Sequence, residues 1–506
     1  MTAFEGLGYG FGIAFQWHNL LACFIGVVIG TVVGVLPGIG PIGAMALLLP
    51  VTYSMTPAGA LIMLAGIYYG SMYGGSTTSI LLKVPGEISS VVTTLDGYEM
   101  ALRGRAGAAL FVAAVGSFVA GSIGILGLAF LAPVLASTAL RFGPPEFLAL
   151  CTAGLLILSQ LSGSSLVRAA VMVALGLALS TVGMEPMSGV TRFTFGSLSL
   201  TQGLELVPVA IGLFGVGELL NMAHDKLEAK RPLPVRVRDL LPTRIEWKRS
   251  QWPIVRGSLL GFLFGLIPGP TAVIATFSSY AMEKKLSKHP EEFGHGAIEG
   301  VAGPEAANNG AAQGAFIPLL ALGIPFAPAS AMLLTALLIH GAQTGPMLMV
   351  NSPEIFWGVT SSMYVGNVML LLLNLPLIGV FVALLRLPMS LISSLVALLC
   401  VVGTYAVSNS ILDLWVLLFS GVVGYVLRRL KFEPVILLMA LALGPVLERS
   451  LLQSLYLTQG DLLEIVLRPI AGSLFALVAI VLLFPLLKKC CLSTFKPHIK
   501  LNKANT

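Results

Sequence analysis

From Leu20 to Leu82 the chain carries no charged side chain, and apolar stretches of the same kind recur along its whole length. A helix needs about 20 apolar residues to cross a bilayer. Stretches near that length lie at 18–36, 57–82, 106–132, 145–160, 168–183, 205–223, 329–349, 366–385, 389–407, 410–427 and 470–487. Segments 257–267, 271–282, 310–325 and 434–446 are too short for a full crossing and read as half-helices or re-entrant hairpins. The pattern predicts an all-α polytopic membrane protein with roughly ten to twelve transmembrane helices. Composition agrees. Of 506 residues, 56% are hydrophobic and 10% charged, whereas soluble domains run near 25% charged.

Two apolar runs are broken in the same way. "GTVVGVLPGIG" (30–40) and "GFLFGLIPGP" (261–270) align at Gly30, Gly34, Pro37 and Gly38 with Gly261, Gly265, Pro268 and Gly269, an offset of 231 residues. A second match pairs Gly70, Gly74 and Pro85 with Gly310, Gly314 and Pro325, at an offset of 240. Two matches in the same order predict duplicated halves, 1–223 and 257–489, joined by the loop 224–256 and followed by a tail, 490–506. We expect the halves to be inverted, with their broken hairpins meeting near the midplane. Pro and Gly disrupt a helix. At membrane depth, irregular backbone is tolerated only where protein buries it or it lines a cavity. Paired interrupted helices mark the binding sites of secondary transporters, where N–H ends suit anions and C=O ends suit cations. Pro37, Gly38, Gly40, Pro268, Gly269, Thr271 and Pro325 are therefore candidate binding positions. The plainer alternative is a set of kinks that only shapes helix packing.

Polar residues cluster beside these breaks. "YYGSMYGGSTTSILL" (68–82) sets Gly74, Gly75, Ser76, Thr77 and Thr78 together; the hydroxyls could donate to an anion or simply pack against a neighbouring helix. In "GPEAANNGAAQG" (303–314), Glu305, Asn308, Asn309 and Gln313 fall on one helical face. An intramembrane carboxylate is costly and usually functional. Glu305 would bind a coupling ion, carry a proton or position the Asn pair; alternatively it caps a helix in an aqueous loop with Glu291, Glu292 and Glu299. Pro304 suits a first helical turn. Asp96-Gly97 reads as a turn, with Arg103 and Arg105 as membrane-surface anchors.

Charge orients the ends of the spans. Nine of the 29 Lys and Arg residues lie between His224 and Arg256, mixed with acidic residues, and more occur at Arg428, Arg429, Lys431 and in the C-terminal tail. Such segments are cytoplasmic by the positive-inside rule, so the net charge of +6 calls for a membrane and its lipid, not nucleic acid. The N-terminal stretch lacks the basic region of a cleavable signal, and its side is open. Cysteines 23, 151, 400, 490 and 491 have no spacing of a metal or disulfide framework.

The long motifs "GVLPGIGPIGAMALLLP", "GIYYGSMYGGSTTSILLKVPGE", "TTLDGYEMALRGRAGAAL", "GLIPGP", "SSYAMEKKLSKHPEEFGHGAIEGVAGPEAANNGAAQGAFIPLLALGIP" and "ALLIHGAQTGP" together resemble the large membrane subunit of tripartite tricarboxylate transporters, the TctA family. Phe326 and Thr344 stand where that family pattern leads us to expect Gly and Pro. The resemblance implies a bacterial inner-membrane carrier. It would work with a small membrane subunit and a periplasmic solute-binding protein that delivers a small carboxylate. Uptake would use an ion gradient, Na⁺ or H⁺, with no other cofactor. Citrate is a family label here and not a deduction. The rivals are a passive anion channel, a non-transporting structural membrane subunit and an intramembrane enzyme. No His-Glu-x-x-His or Gly-x-Ser-x-Gly in the sequence favours the enzyme.

Overall fold

Helix starts follow local capping signals. Thr2 with Glu5, and Thr243 with Glu246, form reciprocal capping boxes, and Thr56 caps a helix that has Pro57 at its first position, where a missing N–H costs nothing. The computed structural model describes residues 2–36, 40–161, 165–185, 188–225, 240–384, 389–408, 410–476 and 479–480. Pro37, Gly38, most of the basic loop and the C-terminal tail with Cys490 and Cys491 lie outside the described residues.

The described residues form helices joined by turns, and their strands are one two-residue pair, Gly183–Met184 with Thr191–Arg192. The first region comprises α1 (Ala3–Ala14), α2 (Trp17–Val35), α3 (Gly40–Leu48), α4 (Pro57–Leu82), α5 (Thr93–Leu102), α6 (Ala106–Ala139), α7 (Pro144–Leu161), α8 (Leu166–Ser180), α9 (Leu206–Ala210) and α10 (Gly217–Asp225). The second comprises α11 (Arg244–Gly265), α12 (Thr271–Leu286), α13 (Glu299–Gly314), α14 (Phe316–Leu322), α15 (Pro328–Ile339), α16 (Leu348–Asn351), α17 (Pro353–Asn374), α18 (Ile378–Leu384), α19 (Met389–Ser408), α20 (Ile411–Arg429), α21 (Pro434–Leu457) and α22 (Leu462–Leu467). Five of these, α2, α6, α17, α20 and α21, are long and apolar enough to cross a membrane. The protein is thus an all-α polytopic membrane protein.

Several boundaries differ from expectation. Segment 434–446 is not a half-helix: α21 runs through Pro445 to Leu457. The hydropathy falls at the charged Glu448, but the helix does not end there, and Glu448 pairs with Arg192 through two bonds of 2.6 and 3.1 Å. Segment 257–267 is the apolar end of α11, whose first turns are basic. Residues 310–325 divide between the end of α13 and α14. The expected span 329–349 stops at Ile339, where Gly341 turns the chain with φ +66°, and 366–385 is replaced by α17, which begins at Pro353. Thr93–Leu102 is a helix and not a turn, with Asp96 in its first turn.

Two helix pairs form the interior. Gly26, Gly30 and Gly34 of α2 face the carbonyls of Met63, Ile67 and Ser71 on α4. Gly257, Gly261 and Gly265 of α11 face those of Gly303, Ala307 and Ala311 on α13. Position numbers rise together in both sets, so each pair is parallel, and the segment between its members carries the chain back. A methyl group at Gly30 would sit 2.5 Å from the Ile67 oxygen, so these helices pack backbone to backbone. By contrast, α4 runs against α13 and α14. Ser76 bonds Glu305, while Tyr68 meets Phe316 at a ring-centroid separation of 5.9 Å. Every residue of α4 after Pro57, and every residue of α13, is buried. These two polar, glycine-rich helices are shielded by their neighbours, which is why hydropathy alone understates their depth.

Candidate functional site

The site begins with the turn that ends α4. Lys83 takes a left-handed conformation, φ 58°, and the chain folds back over the helix end. Gly86 lies against the Gly34 carbonyl and would carry any Cβ to 2.7 Å from Gly75 Cα. This brings Glu87 beside Gly75, whose missing side chain leaves room for the Glu87 stem at 3.0 Å. Glu87 then caps the short 3₁₀ turn Ile88–Val91, and α5 follows.

Opposite stands α13. It contains Pro304 in its sixth position, inside the helix and not in its first turn. Glu305 lies six residues from the helix start, about 9 Å along the axis. It is 1% exposed, so it is not a cap in an aqueous loop. Its two oxygens accept hydrogen bonds from the hydroxyls of Ser76 on α4 and Thr93 on α5. Asn308 donates to Glu87 Oε1 at 3.0 Å, and Ser89 donates to the same oxygen. Asn309 donates to Ser117 Oγ of α6 at 2.7 Å and to the Glu305 carbonyl at 3.2 Å. The charge of a buried carboxylate is therefore met by hydroxyls from two other helices, the form of compensation that buried ionic groups require.

A small cleft adjoins this cluster. Tyr73, Ser76, Thr77, Ser117 and Asn374 supply its polar lining, with alanines of α6 as an apolar wall. Among the described residues Asn374 Oδ1 is buried with no partner. Tyr73 donates to Asn367 Oδ1 at 2.6 Å, and Asn367 donates to the Phe118 carbonyl at 2.8 Å. The arrangement offers neutral hydroxyl donors on one side and carboxylates on the other, sharing Ser76.

The remaining expected positions take other places. Gly74 abuts the Thr31 carbonyl and Gly34 Cα, a packing contact between α2 and α4. Thr78 donates to the Val35 carbonyl at 2.6 Å, satisfying the open end of α2. Gln313 is buried against Gly124, and among the described residues its Oε1 has no partner. Gly40 opens α3 with φ +64°. Pro268 and Thr271 are buried around the second break. There Gly269, at φ +138°, donates its N–H to the Phe326 carbonyl at 2.9 Å. Close backbone approach thus survives the replacement of Gly by Phe326, because the contact uses its carbonyl. Pro325 is buried in the same loop.

Sequence reasoning missed Glu87, Thr93, Ser117, Asn367 and Asn374. Asn367 and Asn374 are seven residues apart on one face of an apolar helix, a pattern that could have marked them. Glu87 was signalled only by its position after Pro-Gly. Asp96 was also misread. Its Oδ1 accepts from the backbone N–H groups of Gly294, Gly296 and Ala297 at 2.7–2.9 Å, and its Oδ2 from Tyr280 at 2.9 Å. It ties α5 to the loop that leads into α13. On the same surface Arg105 pairs with Glu246, and Arg249 with Glu292 and Glu299. The Arg249 guanidinium holds Glu292 below the usual carboxylate range.

Comparison with known proteins gives a consistent match. The family described as "Tripartite tricarboxylate transporter TctA family" matches residues 20–439. An Agrobacterium vitis protein described as "Uncharacterized 52.8 kDa protein in TAR-I ttuC' 3'region" is 47% identical over 477 residues, covering 94% of this chain and 95% of that protein. A second from Agrobacterium vitis, "Uncharacterized protein in TAR-II ttuC' 3'region", is 45% identical over 227 residues, 45% of this chain and 94% of its own length. No solved structure matches the chain.

Proposed function

The chain belongs to the TctA family of tripartite tricarboxylate transporters, and from that premise we propose that it is the translocation subunit of an ion-driven importer of small carboxylates. Tricarboxylates or dicarboxylates would arrive on a periplasmic binding protein, and a small membrane subunit would complete the complex in a bacterial inner membrane. A Na⁺ or H⁺ gradient would drive uptake. Segments 1–223 and 257–489 would be inverted halves. The parallel pairs α2–α4 and α11–α13, set against each other in direction, support that reading.

One observation carries the proposal: α4 hydroxyls and the Glu305–Asn309 face of α13 meet in the protein interior beside a polar cleft. A structural subunit has no use for a buried carboxylate at membrane depth, which is costly and marks an ion or substrate path. Hydroxyls suit the substrate carboxylates, and the acidic face suits the co-transported ion.

The test is counterflow of labelled carboxylates in vesicles containing this chain, the small subunit and the cognate binding protein. Uptake should require all three and collapse when the ion gradient is dissipated. Uptake by this chain alone, or flux indifferent to the gradient, would contradict the reading.

A further inference from the structure

We propose that Glu305, Glu87 and the free Oδ1 of Asn308 form a sodium-binding site, set apart from the small polar cleft but linked to it through Ser76. The inference rests on the carrier reading above and specifies where its coupling ion is held.

The first observation is uncompensated negative charge. Glu305 and Glu87 belong to one cluster, joined through Asn308, which lies three residues after Glu305 and donates to Glu87. Among the described residues neither carboxylate has a Lys, Arg or His partner. The carboxylates of the neighbouring surface do have such partners: Glu246 with Arg105, Glu283 with Arg256 and Glu299 with Arg249. Hydroxyl donors alone meet the charge of Glu305. Two carboxylates in one cluster repel each other, and a cation held near them lowers that penalty.

The second observation is independent of charge. Asn308 is fully buried, and among the described residues its Oδ1 has no hydrogen-bond partner. Leaving a buried acceptor unmade costs about 1–3 kcal/mol. The same side chain donates one N–H to Glu87, which sets its amide beside that carboxylate. A buried amide oxygen that lacks a donor near carboxylates is available as a metal ligand.

Ligand chemistry selects the ion. Every available ligand is oxygen, from carboxylate, amide and hydroxyl, which suits a hard cation. Among the described residues no three His, Cys, Asp or Glu side chains converge, so the site lacks the anionic ligand count of a tight divalent centre. Two carboxylates with neutral oxygens fit a monovalent ion. Because Ser76 donates to Glu305 and also lines the cleft, charge at Glu305 sets the direction of a hydroxyl that substrate would meet. This couples the two ligands without a shared contact.

The measurement is equilibrium binding of ²²Na⁺ to the full-length chain in nanodiscs, with potassium and choline as competitors. Saturable binding that resists potassium and choline is expected. Glu87→Gln and Asn308→Ala should each weaken it by at least tenfold while gel filtration and circular dichroism remain unchanged. Glu99→Gln, which removes a carboxylate from a surface pair with Lys83, should leave it intact. Glu87 is partly exposed, so its variant tests the site even if Glu305→Gln fails to fold. Absence of saturable binding, or binding unaltered in both variants, overturns the proposal. If complete vesicles import carboxylate with choline replacing sodium, the sodium site falls and the carrier reading stands. If sodium binds at this cluster but no uptake occurs, the reverse holds.

Discussion

The α2–α4 and α11–α13 pairs are built alike and equipped differently. Each is a parallel pair whose glycines face the partner's carbonyls at four-residue steps. Gly74 touches the Thr31 carbonyl and Gly34, and Gly314 touches the Phe262 carbonyl and Gly265, so the contacts correspond residue by residue. Their polar inventories do not correspond. The α4 helix brings neutral hydroxyls at Ser76, Thr77, Thr78 and Ser79, whereas α13 brings Glu305, Asn308, Asn309 and Gln313. Packing is common to both pairs, and chemistry is divided between them. Donors and the carboxylate become a site only where the pairs meet.

The largest effect should come from breaking the common part. A Cβ at Gly261 falls on the Ala307 carbonyl, and backbone cannot move aside as a side chain can. Gly261→Val should cost more than the roughly 1–3 kcal/mol of ordinary overpacking and abolish a monodisperse species in detergent gel filtration. Gly30→Val in the other pair should do the same. Gly12→Ala on α1, which faces open space, should be silent. A well-folded Gly261→Val protein would mean that the two pairs are not equivalent in packing.

The divided chemistry is tested by a double-mutant cycle between Ser76→Ala and Glu305→Gln. A hydrogen bond to a charged group is worth about 1.5–3 kcal/mol, so the coupling should be about one to two decades in apparent uptake affinity, at matched expression. Additive effects would mean that the hydroxyl and the carboxylate act separately.

The smallest effect concerns what holds the pairs in register. Asp96→Ala leaves the N–H groups of Gly294, Gly296 and Ala297 without their acceptor. We expect a loss of about 1–3 kcal/mol in stability and faster amide exchange at 294–297. Asp96→Asn should lose less, because an amide oxygen still accepts. Unchanged exchange in the alanine variant would remove Asp96 from the tie between the two regions.

Much of this architecture was legible in the chain. The apolar runs predicted helices in membrane, and the face shared by Glu305, Asn308, Asn309 and Gln313 is a helical one. Yet that face divides in space. Asn308 reaches Glu87, Asn309 reaches Ser117, and Gln313 packs on Gly124. Periodicity orders residues around one helix and says nothing of what each will meet. The hydroxyl run was legible as a cluster, but Ser76 bonds Glu305 while Thr78 closes a helix end, a separation of roles only two residues apart.

Sequence by itself determined that this chain lies in a membrane and which glycines repeat at four-residue steps, because those properties depend on local composition and on the period of the helix. The tertiary structure decided that Glu87, carried back by Lys83, Pro85 and Gly86, joins Asn308 from 221 residues away, and that Asn374 lines the cleft beside Ser76. Such meetings depend on the close approach of whole helices. That approach is set by summed backbone contacts at many glycines and not by any residue that takes part in the site.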